Sequence, residues 1–370
     1  MDTTKLYQIV LTLLPRVGSV IAKSLVAYCG SPEEVFREKR SRLKLIPGVG
    51  DSFADAFGKT DKAALLARAE AERDFIEKNK VSQLFFTDDA YPKRLKECND
   101  GPVLLFYKGT ADLNSKKILA VIGTRNATEY GRLMTDKILS GLKDDGVLVL
   151  SGLAYGIDIT AHRAALKTGL ETIGVLGHGL DQIYPQMHEA TAAQMLKQGG
   201  LLTEYLTRTK PDRENFPTRN RIVAGMCDGV LVIESGVRGG SLITTEIALS
   251  YNRDVLAVPG KTGEMYSAGC NKLIKTYKAA LVENADDVKY HMGWAEEKKT
   301  EKRRQHTLLF AELCEEEKSI ISVLETQGKL DIDSLAIQCG MPIARVSSLL
   351  LGLEFKSVVK VLPGKLVELI

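Results

Sequence analysis

The sequence predicts an α/β protein, a mostly parallel sheet covered on both faces, with a small helical module before it and a helix-and-hairpin module after it. Three observations carry that prediction. From Lys117 onward short apolar runs (ILAVIG, VLVLSG, TIGVLG, LLTEY, GVLVIES, DVLAVPG, AALVEN) alternate with helix-like segments such as TEYGRLMTDKILSGL and SLITTEIALSY. Repeated strand, helix, strand order with apolar strands is the pattern of a doubly covered parallel sheet. Residues 6 to 57 carry apolar positions at helical spacing, and a second compact pattern resumes beyond Glu315 after the charged run AEEKKTEKRRQ. At 370 residues the chain exceeds what one hydrophobic core organises, so several domains are expected.

Leu6, Ile9, Val10, Leu13 and Leu14 mark the first helix, and LPRVG at 14–18 and IPGVG at 46–50 punctuate the helices that follow. A helix, a tight glycine turn and a helix give residues 1–80 a SAM- or helix-hairpin-helix-like character. Two readings stand for those turns: backbone N–H groups offered to a DNA phosphate, or simple packing turns. A charged helix, Ala63 to Lys80, leads to short strands at Leu84–Phe86 and Leu104–Tyr107, so the central domain is assigned to 81–290.

Residues 291–314 read as a charged linker, with Lys302, Arg303 and Arg304 as its basic cluster. Residues 315–370 have the element order of a winged helix: two short helices, a third with Val346, Leu349, Leu350 and Leu353 on its apolar side, and a hairpin around Pro363-Gly364. That third helix offers Arg345, Ser347 and Ser348 but few other basic groups, which favours packing or protein contact over reading a DNA groove.

With 44% hydrophobic and 26% charged residues the composition is that of a globular protein, and a net charge of +3 is too small to identify a polyanion partner by itself. Six cysteines (29, 98, 227, 270, 314, 339) contain no CxxC pair and no His at ligand spacing, which argues against a zinc site. No metal or cofactor is expected. The sequence lacks a signal-peptide pattern and any uninterrupted apolar span of membrane length, so no membrane association and a cytoplasmic location are expected.

In an open parallel sheet, ligands bind beyond the carboxyl ends of the strands. Four loops there suit anions. Gly123-Thr124-Arg125 follows ILAVI, where the arginine is expected to take a phosphate beside the positive end of the next helix. Ser151-Gly152, opening SGLAYGID, forms a glycine-rich turn into a helix that starts near Asp158. The third segment, Arg213 to Arg221, sets Phe216 beside Arg219, Asn220 and Arg221 ahead of the strand Val230–Ile233, and is read as a loop that stacks a base and holds phosphates. The fourth, Gly236 to Thr244, contributes Arg238 and Ser241. Neither GxGxxG nor GxxxxGK[ST] occurs, which disfavours dinucleotide and Walker-type sites. His162 reads as a packed histidine rather than a base, while His178 and His188 lie near the ligand edge where they could bond phosphate.

The ordered motifs YPKRLKECNDGPVLLFYKG, VIGTRNATEYG, SGLAYGIDITAHRAAL, GLDQIYP, FPTRNRIVAGMCDGVLVIES, GGSLITTEIAL, DVLAVPG and GCNKLIK span most of residues 85–285. In them the chain resembles the DprA/Smf DNA-processing family of natural transformation. The resemblance implies an extended Rossmann-like domain that binds single-stranded DNA in a positive pocket, forms a homodimer and helps load the RecA recombinase, without catalysis. It assigns binding to Arg125, Arg213, Phe216, Arg219 and Arg221. Thr124 stands where the family has serine, Met187-His188 follows IYP where asparagine is common, and Gly239 replaces a serine. The competing reading is a nucleoside-monophosphate phosphoribohydrolase of the lysine-decarboxylase-like Rossmann group, with Arg221 and Glu246 in the working roles. Its PGGxGTxxE signature is absent, since the chain reads VRGGSLITTE.

Overall fold

Apolar side chains alternate to both sides of the central strands, and this explains why those strands read as unbroken hydrophobic runs. On β3 (Lys117–Ile122), Ile118, Ala120 and Ile122 enter one core while Leu119 and Val121 enter the other. The structure, a computed structural model, describes residues 3–295, 313–356, 358–362 and 365–369. Most of the predicted linker, including Lys302, Arg303 and Arg304, lies outside the described residues, as does the Pro363-Gly364 turn. The chain divides into two units, Met1–Ala295 and Glu296–Ile370.

The first unit is built on a nine-stranded sheet. Its other strands are β1 (Ser82–Phe85), β2 (Leu104–Gly109), β4 (Val147–Ser151), β5 (Thr172–Val175), β6 (Gly199–Thr203), β7 (Gly229–Val232), β8 (Asp254–Ala257) and β9 (Ala280–Leu281). The spatial order is β1-β2-β6-β5-β4-β3-β7-β8-β9, with the β1/β2 and β2/β6 pairs antiparallel and the rest parallel. The chain runs outward from β3 to β6, then returns to β7 on the other side of β3. Right-handed crossovers made in opposite directions put their helices on opposite faces. Accordingly Glu129–Gly141 and Ile157–Thr168 cover one face, and Asn215–Met226, Gly240–Ser250 and Ala268–Lys275 the other. The reversal between β3 and β7 opens a crevice at the strands' carboxyl ends, the usual ligand position in such sheets.

The helical module packs against the antiparallel end. Ile9, Leu25, Leu43, Phe53 and Phe57 share a core with Phe85, Leu104 and Phe106 of β1 and β2. The turns 14–18 and 46–50 precede helices Ser19–Cys29 and Asp51–Gly58, with Gly18 and Gly50 in extended conformation at the N-caps. Helix Lys62–Asn79 ties the module to the segment after β6: the buried Glu72 carboxylate accepts from Thr207 N (3.0 Å) and Thr207 Oγ1 (2.5 Å), and Arg68 donates to Thr207 O (2.7 Å). Among the described residues no single helix is long and apolar enough to cross a membrane.

The second unit has helices Glu315–Gln327, Ile332–Cys339 and Ile343–Phe355 and strands β10 (Leu330–Asp331), β11 (Val359–Leu362) and β12 (Leu366–Leu369), ordered β10-β12-β11. Val346, Leu350 and Leu353 enter its core as the 3.6-residue period requires. Arg345 is held by Glu316 (Nη2–Oε2 2.5 Å), and the third helix leaves Ile343, Leu351 and Phe355 exposed.

Candidate nucleic-acid interface

Beyond β3 the chain is strapped between its neighbours: Thr124 N donates to Glu234 O (2.8 Å) and Thr124 O accepts from Ile157 N (3.1 Å). Two glycines permit this. A Cβ on Gly123 would lie 2.5 Å from Ile157 Cγ1, and one on Gly156, at φ +78°, would lie 2.1 Å from Thr124 O. The strapped loop delivers Arg125 to the surface with its side chain exposed. The expected help from the next helix is missing. The buried Glu234 carboxylate accepts from Thr128 N (2.9 Å) and Thr128 Oγ1 (2.5 Å), so a protein anion already occupies the positive end of Glu129–Gly141.

Ser151 faces inward as well, its hydroxyl wholly buried and donating to Val121 O (2.6 Å), so it serves the sheet and not the crevice. Gly152 lines the crevice and makes room for a guanidinium: an added Cβ would fall 2.2 Å from Arg219 Nη1 and 2.4 Å from Asp158 Oδ2. The carbonyl of Gly152 accepts from His162 Nε2 (2.5 Å), and His162 Nδ1 accepts from Thr172 Oγ1 (2.7 Å). Burial pushes the His162 pKa down to about 4, so this neutral imidazole is scaffolding, as its sequence context suggested. His178 and His188 are each 1% exposed and donate Nδ1–H to Gly179 O and Leu153 O; burial lowers both pKa values. Neither offers an accessible contact for a phosphate.

FPTRNR is not the loop the sequence suggested but the opening of helix Asn215–Met226. Pro217 is tolerated because a first-turn residue needs no intrahelical N–H bond. The helical period then sorts the side chains: Phe216, Arg219, Asn220 and Val223 line the crevice. Arg221, two residues from Arg219, points away and pairs with Glu204 (2.5 Å), the two side chains being 13% and 15% exposed. Arg219 is 5% exposed and donates Nη1–H to Val175 O (2.8 Å). Desolvation lowers its pKa, opposed by the nearby Asp158 carboxylate. Burial in turn pushes the Asp158 pKa up against the pull of Arg219.

The crevice has a volume of about 790 Å³. Gly123, Thr124, Arg125, Gly152, Arg213, Phe216, Arg219, Asn220 and Ser241 line it, whereas Ser151, Arg221 and Arg238 do not. Arg125 and Arg213 are exposed at the rim and Arg219 lies in the floor, against one lining carboxylate, Asp158. The fourth wall is the start of helix Gly240–Ser250, where Ser241 Oγ donates to Ser235 Oγ (2.8 Å). Phe216 is half-buried against Gly177, with the Arg125 guanidinium 5.7 Å from its ring centroid and the Tyr184 ring stacked on it at 6.0 Å and 27°. Tyr155 and Tyr184 also line the crevice but were not singled out as site residues from the sequence. The available signal was an aromatic residue in each turn after an apolar strand, in SGLAYGID and GLDQIYP. Arg221 and Glu246, the pair the phosphoribohydrolase reading requires, both stand outside the lining; Glu246 instead accepts from Lys278 (2.6 Å).

Three guanidinium groups, a helix N-terminus and aromatic rings at the switch point of a doubly wound sheet define a crevice protein suited to phosphate-bearing, base-bearing ligands. Residues 82–293 match the family described as DNA recombination-mediator protein A, and 311–365 match the DprA winged helix domain. The chain is 41% identical to the DNA processing protein DprA of Streptococcus pneumoniae over 246 residues, covering 65% of this chain and 85% of that one. It is 35% identical to the protein Smf of Escherichia coli over 289 residues, 75% of each. The solved DprA structure from S. pneumoniae aligns with a TM-score of 0.62 at 36% identity, covering 76% of this chain and 96% of that one. DNA processing protein A from Helicobacter pylori, whose structure was reported for a unique single-stranded DNA binding mode, aligns with a TM-score of 0.53 at 28% identity, covering 58% and 95%. This chain belongs to the DNA recombination-mediator protein A family, also called DprA/Smf.

Proposed function

We propose that the chain binds single-stranded DNA in the β3/β7 crevice and passes it to the RecA recombinase. The observation that carries this reading is the convergence of Arg125, Arg213, Arg219 and Phe216 on one cleft. The rim arginines neutralise phosphates, the floor arginine adds a fixed positive potential, and the Phe216 ring supplies base stacking. Stacking is worth about 1–3 kcal/mol per base and is available only to unpaired bases, which selects single strand over duplex. Affinity then depends on salt, because each neutralised phosphate releases counterions. Membership of a recombination-mediator family supports the hand-over to RecA and a homodimer formed through the sheet domain, and RecA as partner implies the cytoplasm. The role is binding and delivery, without turnover of the DNA.

The test titrates labelled oligonucleotide with the wild type and with Arg125→Ala/Phe216→Ala at several salt concentrations, with duplex and nucleoside monophosphates as competitors. The proposal expects tight, salt-dependent binding to single strand that the double variant loses. Equal affinity of both proteins, or release of free base from a monophosphate, overturns it.

A further inference from the structure

Two exposed tyrosines in the crevice have no part in the site as read from arginines and Phe216. Tyr184 is 46% exposed and Tyr155 44%. Scattered exposed tyrosines need no explanation, and Tyr277 and Tyr290 are more exposed still. What separates Tyr155 and Tyr184 is that both line the cleft that holds the arginines. Both rings also have a firm backing. Tyr184 lies against Phe216 at 27° between ring planes, and Tyr155 meets the ring of His188 edge to face, at 5.2 Å and 70°, with His188 Nδ1–H bonded to Leu153 O (3.0 Å). A fixed ring with an accessible surface loses little entropy when a base stacks on it.

We infer that Tyr184 and Tyr155 are additional base-stacking platforms, so that the cleft takes successive nucleotides with their bases inward and their phosphates toward the arginine rim. This rests on the single-strand reading and extends it from one stacked base to a short run. Because neither tyrosine carries charge, each governs affinity without changing its salt dependence, which Arg125 and Arg213 set.

The experiment compares Tyr184→Leu, Tyr155→Leu and the corresponding Phe variants with the wild type, using fluorescent oligothymidylate and a matched oligomer of abasic sites. Thermal melting of each variant checks the fold. Each Leu variant should lose between about fivefold and a hundredfold in affinity for oligothymidylate. The Phe variants should bind like wild type, the salt slope should hold, and the abasic oligomer should bind wild type and Leu variants alike. Leu variants that bind oligothymidylate as wild type does, while Arg125→Ala binds it weakly, overturn the inference and leave the single-strand reading standing. If Arg125→Ala and Phe216→Ala also bind as wild type does, the reading itself fails and the inference falls with it.

Discussion

Gly152→Ala isolates the contact on which the floor of the crevice depends. Gly152 is not among the positive-φ residues, so the backbone accepts alanine and the cost comes from the new methyl group. That methyl would sit 2.2 Å from Arg219 Nη1, 2.6 Å from Nη2 and 2.4 Å from Asp158 Oδ2. Arg219 cannot swing aside freely: it is 5% exposed and bonded to Val175 O at 2.8 Å. Overpacking costs about 1–3 kcal/mol, and a buried donor left unpaired costs about 1–3 kcal/mol more. The expected destabilisation is therefore about 2–6 kcal/mol, read from denaturant unfolding. A guanidinium displaced from the floor should also weaken single-strand binding about tenfold. In an Arg219→Gln background, where the shorter side chain clears most of the overlap, the same substitution should cost less. A Gly152→Ala protein with wild-type stability and affinity in both backgrounds would refute the reasoning.

Further predictions address the scaffold. Arg221→Ala breaks a buried pair with Glu204, so it should lower stability by about 3 kcal/mol and leave the salt slope of DNA binding unchanged, whereas Arg125→Ala should leave stability unchanged and lower that slope by about 0.7. Glu72→Ala leaves Thr207 N without its acceptor and Arg68 with only its Thr207 contacts, and should cost about 2–4 kcal/mol in chemical denaturation. His162 gives a pH signature. Its folded pKa of about 4 lies below its ordinary value of 6.5, so below pH 6.5 the unfolded chain binds a proton that the folded chain refuses. Its stabilisation is complete above pH 6.5 and falls by about 3 kcal/mol as the pH drops to 4; a His162→Gln protein should lack that part of the decline in pH-dependent unfolding.

The sheet was legible in the sequence because strands covered on both faces must be apolar throughout, and β3, β4 and β7 advertise themselves that way. Arg125 stands in the turn directly beyond β3 and Phe216 in an arginine-rich segment ahead of β7, and the structure brings both to the crevice lining. What stayed hidden depended on direction. An aromatic and three cations ahead of an apolar strand read as a ligand loop, and only the helical period of Asn215–Met226 shows that Arg219 and Arg221 face opposite ways. Ser151 resembles an anion-binding serine until the neighbouring Val121 carbonyl takes its hydroxyl. Glu234, far along the chain from Thr128, caps a helix from another strand's end, and no local pattern announces such a contact.

Photocrosslinking with a single-stranded oligonucleotide carrying 5-iodouracil, followed by mass-spectrometric mapping on the full chain, tests most directly whether unpaired DNA lies in the β3/β7 crevice. Crosslinks should fall on peptides containing Phe216, Tyr184 or Tyr155 and should vanish when excess unlabelled single strand is added. Crosslinks confined to the helical module or to residues 313–369 would contradict the account.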